Sequence, residues 1–158
     1  MANTQSMCTS FMGELMTATH NFGVAPIRAA TTADTFKAAL YLASATVNAS
    51  TTSYSAVDEV SGAGYTAGGV VVTNATVPAS TNSSATAGVA YWTPSASITY
   101  AAVTLTTAFD AVLIYNSTQS NKAVSVHTFG SQTITAGTFT LTMPANTTTT
   151  ALLRLSTT

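Results

Sequence analysis

The sequence predicts an all-β protein, a β-sandwich or jelly-roll-like domain carrying a short helix or arm at its N-terminus. Three observations predict it. From Thr35 onward, apolar residues recur at period two in short runs, and no further helix of ten residues can be placed. The runs are separated by Gly, Pro, Asn and Ser clusters at a spacing of about 8 to 12 residues, which gives about seven to nine strands. Finally, Ala111-Val112-Leu113-Ile114-Tyr115 is continuously apolar, the pattern of a strand buried on both faces at the centre of a sandwich.

The helical pattern lies at the start. Met7, Phe11, Leu15 and Ala18 recur at spacings of three and four over residues 5–19, and Met12 and Met16 broaden the stripe. Such a methionine-rich face is adaptable and could dock on the chain's own sheet or on a neighbour. Gly23, Pro26 and the small residues to Ala33 read as a linker. The chain therefore divides into a helix and linker arm over 1–33 and a sandwich domain over 34–158.

The first strand of the domain is Phe36 to Leu42, with Phe36, Ala38, Leu40 and Leu42 on one face and Lys37 and Tyr41 on the other. Residues 43–58 form a long ordered loop. The segment Glu59-Val60-Ser61-Gly62-Ala63-Gly64-Tyr65-Thr66-Ala67-Gly68-Gly69 holds four of the nine glycines and precedes a strand over Val70 to Val77. That glycine density marks a tightly shaped turn anchored by Tyr65. Pro78 to Gly88 is a second polar loop, and Val89 to Trp92 resumes the sheet. Ile98, Tyr100 and Val103 to Leu105 lead to the 111–115 strand. A turn over Asn116 to Asn121 connects it to Ala123 to Phe129. A further hairpin spans Ile134, Gly137 and Thr138 to Met143, and Ala151 to Leu155 closes the domain.

Composition bounds function. A chain of 158 residues suits one domain able to bury roughly 68–70% of its unfolded surface. Charged residues make up only 6%, against about 25% ordinarily, and the mean hydropathy is +0.33. A Thr, Ser, Asn and Ala surface with a net charge of -1 does little to keep copies apart and points to a homo-oligomer or a larger assembly. Arg28, Lys37, Lys122 and Arg154 are scattered, so nucleic acid is not an expected partner. No segment approaches the length of a membrane span, and the first residues lack the parts of a secretory signal. Of the five Asn-x-Ser/Thr sequons, at Asn48, Asn74, Asn82, Asn116 and Asn146, most are expected by chance in so Asn-, Ser- and Thr-rich a chain.

Catalytic and cofactor patterns find little support. Gly62-Ala63-Gly64-Tyr65-Thr66-Ala67 fits the dinucleotide fingerprint, but a valine strand follows where that motif needs a helix N-terminus. The candidate bases, His20 and His127, lie near no Gly-x-Ser-x-Gly elbow. Asp58 and Glu59 are adjacent and point apart on an extended chain, so turn and hydrogen-bonding roles are expected of them rather than paired acid–base chemistry with Asp110. Cys8 has no cysteine or histidine neighbourhood that would hold zinc. No enzyme activity, cofactor or metal is expected. The aromatic residues Tyr54, Tyr65, Tyr91, Trp92, Tyr100 and Tyr115 could line a sugar-binding groove, although a place in the sandwich core or at a subunit interface accounts for them better.

Several segments taken together resemble a family of small virion proteins of tailed bacteriophages: Thr4-Gln5-Ser6-Met7-Cys8-Thr9-Ser10-Phe11 with Glu14-Leu15; Asp34-Thr35-Phe36-Lys37-Ala38-Ala39-Leu40-Tyr41; Glu59 to Gly69; Leu113-Ile114-Tyr115-Asn116; Ala123-Val124; and Phe129-Gly130. The likeness covers nearly the whole chain and is most specific at Glu59 to Gly69. It implies a structural component of the particle. Small size, a sandwich reading, a nearly chargeless surface and an N-terminal helix then lead to a capsid decoration or cement protein. Such a protein would be a homotrimer on the outer capsid surface, bound between major capsid proteins. The candidate interaction or structural residues are Met7, Phe11, Leu15, Gly62, Gly64, Tyr65, Gly68 and Gly69. The alternatives are a tail or neck component, and a carbohydrate-binding sandwich using Tyr91 and Trp92.

Overall fold

In the computed structural model the described residues are 3–8, 10, 11, 15, 19, 20, 22, 33–73, 76–81 and 88–156. They form eight strands: β1 (Ser6–Met7), β2 (Phe36–Leu42), β3 (Val70–Val71), β4 (Ala79–Ser80), β5 (Val89–Trp92), β6 (Ile98–Asn116), β7 (Lys122–Leu141) and β8 (Leu153–Ser156). A five-stranded antiparallel sheet runs β1-β7-β6-β2-β3, and a three-stranded antiparallel sheet runs β4-β5-β8. The two share one core, in which Trp92 and Leu153 of the small sheet join Phe36, Leu113 and Val124 of the large one. The domain is thus all-β and sandwich-like, as the alternating runs require.

The apolar run at 111–115 lies between β2 and β7, and every residue from Ala111 to Asn116 is buried. Its position follows from its composition, since only a central strand hides both faces. In β2 the expected inner face is buried at Phe36, Ala38 and Leu40, but Ala39 and Tyr41 on the other face are buried as well. The 43–69 excursion supplies that second cover. Tyr41 bridges Glu59, and its hydroxyl donates to the Ser55 carbonyl.

Four expectations are corrected. Ser6 and Met7, placed in a helix by periodicity, form β1 and pair with Val126 and Ser125 of β7. The rest of that helix falls largely outside the described residues, of which Ser10, Phe11 and Leu15 have helical backbone. The Val70 strand is two residues long rather than eight, and the loop after Pro78 contains β4. Most consequentially, the separate runs at 98–105 and 111–115 are one 19-residue strand. Those at 123–129 and 134–143 merge in the same way into a 20-residue strand ending at Leu141, so Gly137 is no hairpin turn. Bulges explain the broken periodicity. The β6–β7 register shifts between Tyr100 and Val103, between Val103 and Leu105, and on either side of Phe109. Ala102 and Ala136 sit at positive φ, 53° and 47°, at two of these irregularities. Each extra residue flips the inward face, so a continuous strand reads as two.

The segment read as an arm contributes Cys8, Phe11 and Phe22 to the common core. Asn3 donates to the Leu42 carbonyl and accepts from the Val47 amide. Phe11 lies edge-on to Phe22 at 5.7 Å, and Phe22 stacks on Phe36 at 4.6 Å. Phe11→Ala should therefore cost about 3–5 kcal/mol in chemical denaturation of the isolated protein. A loss below about 0.5 kcal/mol would mean that this ring does not anchor the segment on its own domain.

Candidate functional site

The Glu59–Gly69 loop is built around a buried carboxylate. Glu59 Oε1 accepts from the Tyr65 hydroxyl at 2.7 Å and the Gly68 amide at 2.8 Å, and Oε2 accepts from the Tyr54 hydroxyl at 2.7 Å. Tyr65 Oη in turn accepts from the Leu40 amide at 3.0 Å, which ties the loop to β2. Tyr115 donates to the Gly68 carbonyl at 2.8 Å, and Tyr100 donates to the Ala38 carbonyl at 2.9 Å. Tyr54 stacks on Tyr115 at 4.7 Å, and Tyr65 on Tyr100 at 6.0 Å. The glycines permit this approach. Gly64, Gly68 and Gly69 have φ of 77°, 86° and 72°. A Cβ at Gly62, Gly64 or Gly69 would stand 2.0 Å from the Thr104 oxygen, 2.2 Å from the Ala102 oxygen and 1.7 Å from the Ala38 oxygen, respectively.

Through these contacts the loop braces the half of the β6–β7 hairpin that extends beyond β2. Ala63 bridges Thr104, while β2 pairs with β6 only from Phe109 onward. The expected anchor role of Tyr65 is the role its hydroxyl plays. Every polar group of the hub has a partner inside the domain, and the cluster ties the loop backbone to β2 and β6.

The hub also makes stability sensitive to alkali. Burial, reinforced by the Glu59 charge, pushes the Tyr65 and Tyr54 hydroxyls well above the usual phenol range. Burial raises Tyr100 and Tyr115 too, and brings Tyr41 to about 12. Between the unfolded value of about 10 and these folded values, the folded state holds more protons than the unfolded one, so stability falls as pH rises. Unfolding should set in above about pH 10 and coincide with phenolate absorbance. Tyrosines that ionise well before the fold is lost would contradict a buried hub.

The other polar candidates are separate. Ser125 and His127 face the same side of β7, with Oγ and Nε2 2.9 Å apart. They line a cleft of about 250 Å³ with Gln5, Ser6, Met7 and Arg154. Burial lowers the His127 pKa to about 4, so the imidazole is neutral near pH 7. Ser125 is 1% exposed, and among the described residues no carboxylate lines the cleft to orient the ring as a triad would need. His20 instead meets Asn116, whose amide donates to Asp34 at 2.7 Å. Full burial of Asn116 also removes that sequon from any modifying enzyme. Asp58 is exposed, and Asp110 accepts from Asn3. Among the described residues no cluster of His, Cys, Asp or Glu could hold a metal ion.

A third feature is apolar. Phe11 and Leu15 line a groove of about 300 Å³ with Tyr91, Trp92, Leu153 and Leu155. Trp92 is buried and donates from Nε1 to the Thr76 carbonyl at 2.8 Å, so Tyr91 and Trp92 do not form an exposed platform for a sugar ring. The eight residues singled out from sequence thus divide: Gly62, Gly64, Tyr65, Gly68 and Gly69 shape the loop, Phe11 and Leu15 line the groove, and Met7 lies in β1. Sequence reading missed the four-tyrosine shell of Glu59 because its members come from the 43–58 loop, the glycine loop and the two ends of β6. No known protein family, characterised protein or solved structure matches this chain.

Proposed function

We propose that this chain is a non-enzymatic structural protein of a tailed-phage particle, a capsid decoration protein that cements contacts between major capsid proteins on the outer shell. The observation that carries the reading is the combination of the sequence resemblance, most specific at Glu59 to Gly69, with the use to which that segment is put. Its carboxylate and tyrosine hydroxyl are engaged inside the domain and its glycines pack against β2 and β6, so the segment's polar core is spent on holding a long hairpin. A nearly chargeless surface and an open apolar groove at Phe11, Leu15 and Leu155 suit many repeated, non-chemical contacts. On the shell, where capsid proteins meet around threefold positions, three copies would make these contacts together.

Density for the whole particle tests this by location and stoichiometry together. A copy number in the hundreds on the outer shell is the expected result. A handful of copies at the portal end would replace it with the tail or neck role, and retention of a host glycan by the purified protein would replace both.

A further inference from the structure

We infer that the free edge of β7 over Gly137–Leu141 is a self-association strand: it pairs antiparallel with the same edge of a second copy across a two-fold axis, Phe139 facing its own counterpart. Among the described residues β7 has one neighbour in this stretch, β6, since β1 reaches only Ser125 and Val126. Thr138 and Thr140 are exposed, and Phe139 and Leu141 are half-buried. The run therefore offers unpaired backbone and a partly open apolar face together.

Natural edge strands are guarded by charge, proline or bulges. Between Lys122 and Arg154 the chain has no Asp, Glu, Lys or Arg, so two copies of this edge meet without repulsion. Proline appears only after the run, at Pro144, and the bulge at Ala136 ends it on the other side. What remains unguarded is five residues, rich in threonine and aromatic or branched side chains, between two natural stops.

The second copy is the occupant that the sequence of the run selects, because the run complements itself. Centring the axis on Phe139 uses all five residues, with Gly137 opposite Leu141, Thr138 opposite Thr140 and the two Phe139 rings adjacent. Centring it on Thr138 would place the positive-φ Ala136 in the ladder, and centring it on Thr140 would leave the strand at Thr142. The pairing continues rows already present within one copy. Thr99 and Thr140 hydroxyls are 3.4 Å apart, and Tyr100 lies opposite Phe139 with ring centroids 6.0 Å apart. Threonine and aromatic cross-strand pairs of this kind are favourable. A two-fold contact of this sort is closed and isologous. It stands independently of the phage reading.

Five paired residues span about 17 Å and bury less than the roughly 800 Å² per partner of a stable complex, so the association is weak. Sedimentation velocity of the full chain at rising concentration should show a shift toward twice the 16.0 kDa chain mass. A mixture of Thr138→Cys and Thr140→Cys chains should form a disulfide between unlike chains under mild oxidation, with far less between like chains. Cys8 is buried and does not compete. Thr138→Lys combined with Thr140→Lys should abolish the dimer while leaving the circular dichroism spectrum and melting temperature unchanged. Should the lysine variant misfold, the cysteine mixture still reads the register. A wild-type chain that stays monomeric at millimolar concentration, cross-links that form equally between like chains, or a folded lysine variant that dimerises as before would each overturn the inference.

Discussion

Gly69→Ala is expected to cost a large part of the stability of the fold. The new Cβ would lie 1.7 Å from the Ala38 oxygen and 2.8 Å from the Ala39 Cα, both backbone atoms of a central strand that no side-chain rotation can move aside. A φ of 72° adds left-handed strain of about 1–2 kcal/mol. With overpacking of about 1–3 kcal/mol or more, the total is about 4 kcal/mol, a large part of the 5–15 kcal/mol typical of a domain. The glycines should rank by what a Cβ meets. Gly64→Ala, against the Ala102 oxygen at 2.2 Å and with φ of 77°, should approach the same loss. Gly68→Ala should cost about 1–2 kcal/mol from φ, because its nearest neighbour is the Tyr115 hydroxyl at 3.1 Å. Gly130→Ala, with nothing within 4 Å, should change stability by less than about 0.5 kcal/mol. Urea midpoints that are equal for Gly69→Ala and Gly130→Ala would refute the close packing of loop on strand.

Removing the carboxylate should be nearly as damaging. Glu59→Ala leaves the Tyr54 and Tyr65 hydroxyls and the Gly68 amide without their acceptor in a buried site. Orphaning three donors there should cost about 3–5 kcal/mol and release the loop, read as lost hydrogen-exchange protection at the Gly68 amide. Tyr65→Phe breaks both the bond to Glu59 and the one from Leu40, so it should cost about 2–3 kcal/mol. A double-mutant cycle should then give a total well short of the sum, because both variants delete the same contact. Strict additivity would show that Tyr65 and Glu59 act separately.

The elements that sequence reading located well are those whose burial is set by their own residues. Ala111–Tyr115 is apolar throughout and is central; Phe36–Leu42 alternates and is a strand, as is the short apolar run Val89–Trp92; the polar run after Asn116 is the turn. It failed where one residue changes the phase of the pattern. Bulges in β6 and β7 hid two strands of about twenty residues, and methionine spacing drew Ser6 and Met7 into a helix although the β7 edge at Ser125 and Val126 takes them as a strand.

Glycine density around Tyr65 was enough to mark a tight loop with a tyrosine anchor, and the adjacency of Asp58 and Glu59 was enough to argue against paired catalysis. Neither said that Glu59 is the centre. Tyr54, Tyr65, Tyr100 and Tyr115 are spread over about sixty positions, and which of them share a buried site depends on how β2 and β6 come together beneath the loop.

Composition and periodicity by themselves thus determined an all-β domain with a buried central strand, a glycine-shaped loop and too few charges to hold copies of it apart. These are properties of single residues and short spacings, and water reads them locally. Tertiary structure alone decided that the loop braces an overhanging hairpin, that Phe11 is part of the core and that, among the described residues, Gly137–Leu141 has β6 as its one strand neighbour. Those outcomes depend on strand neighbours and bulge phase, and a strand's neighbour is chosen by competition among all the strands at once.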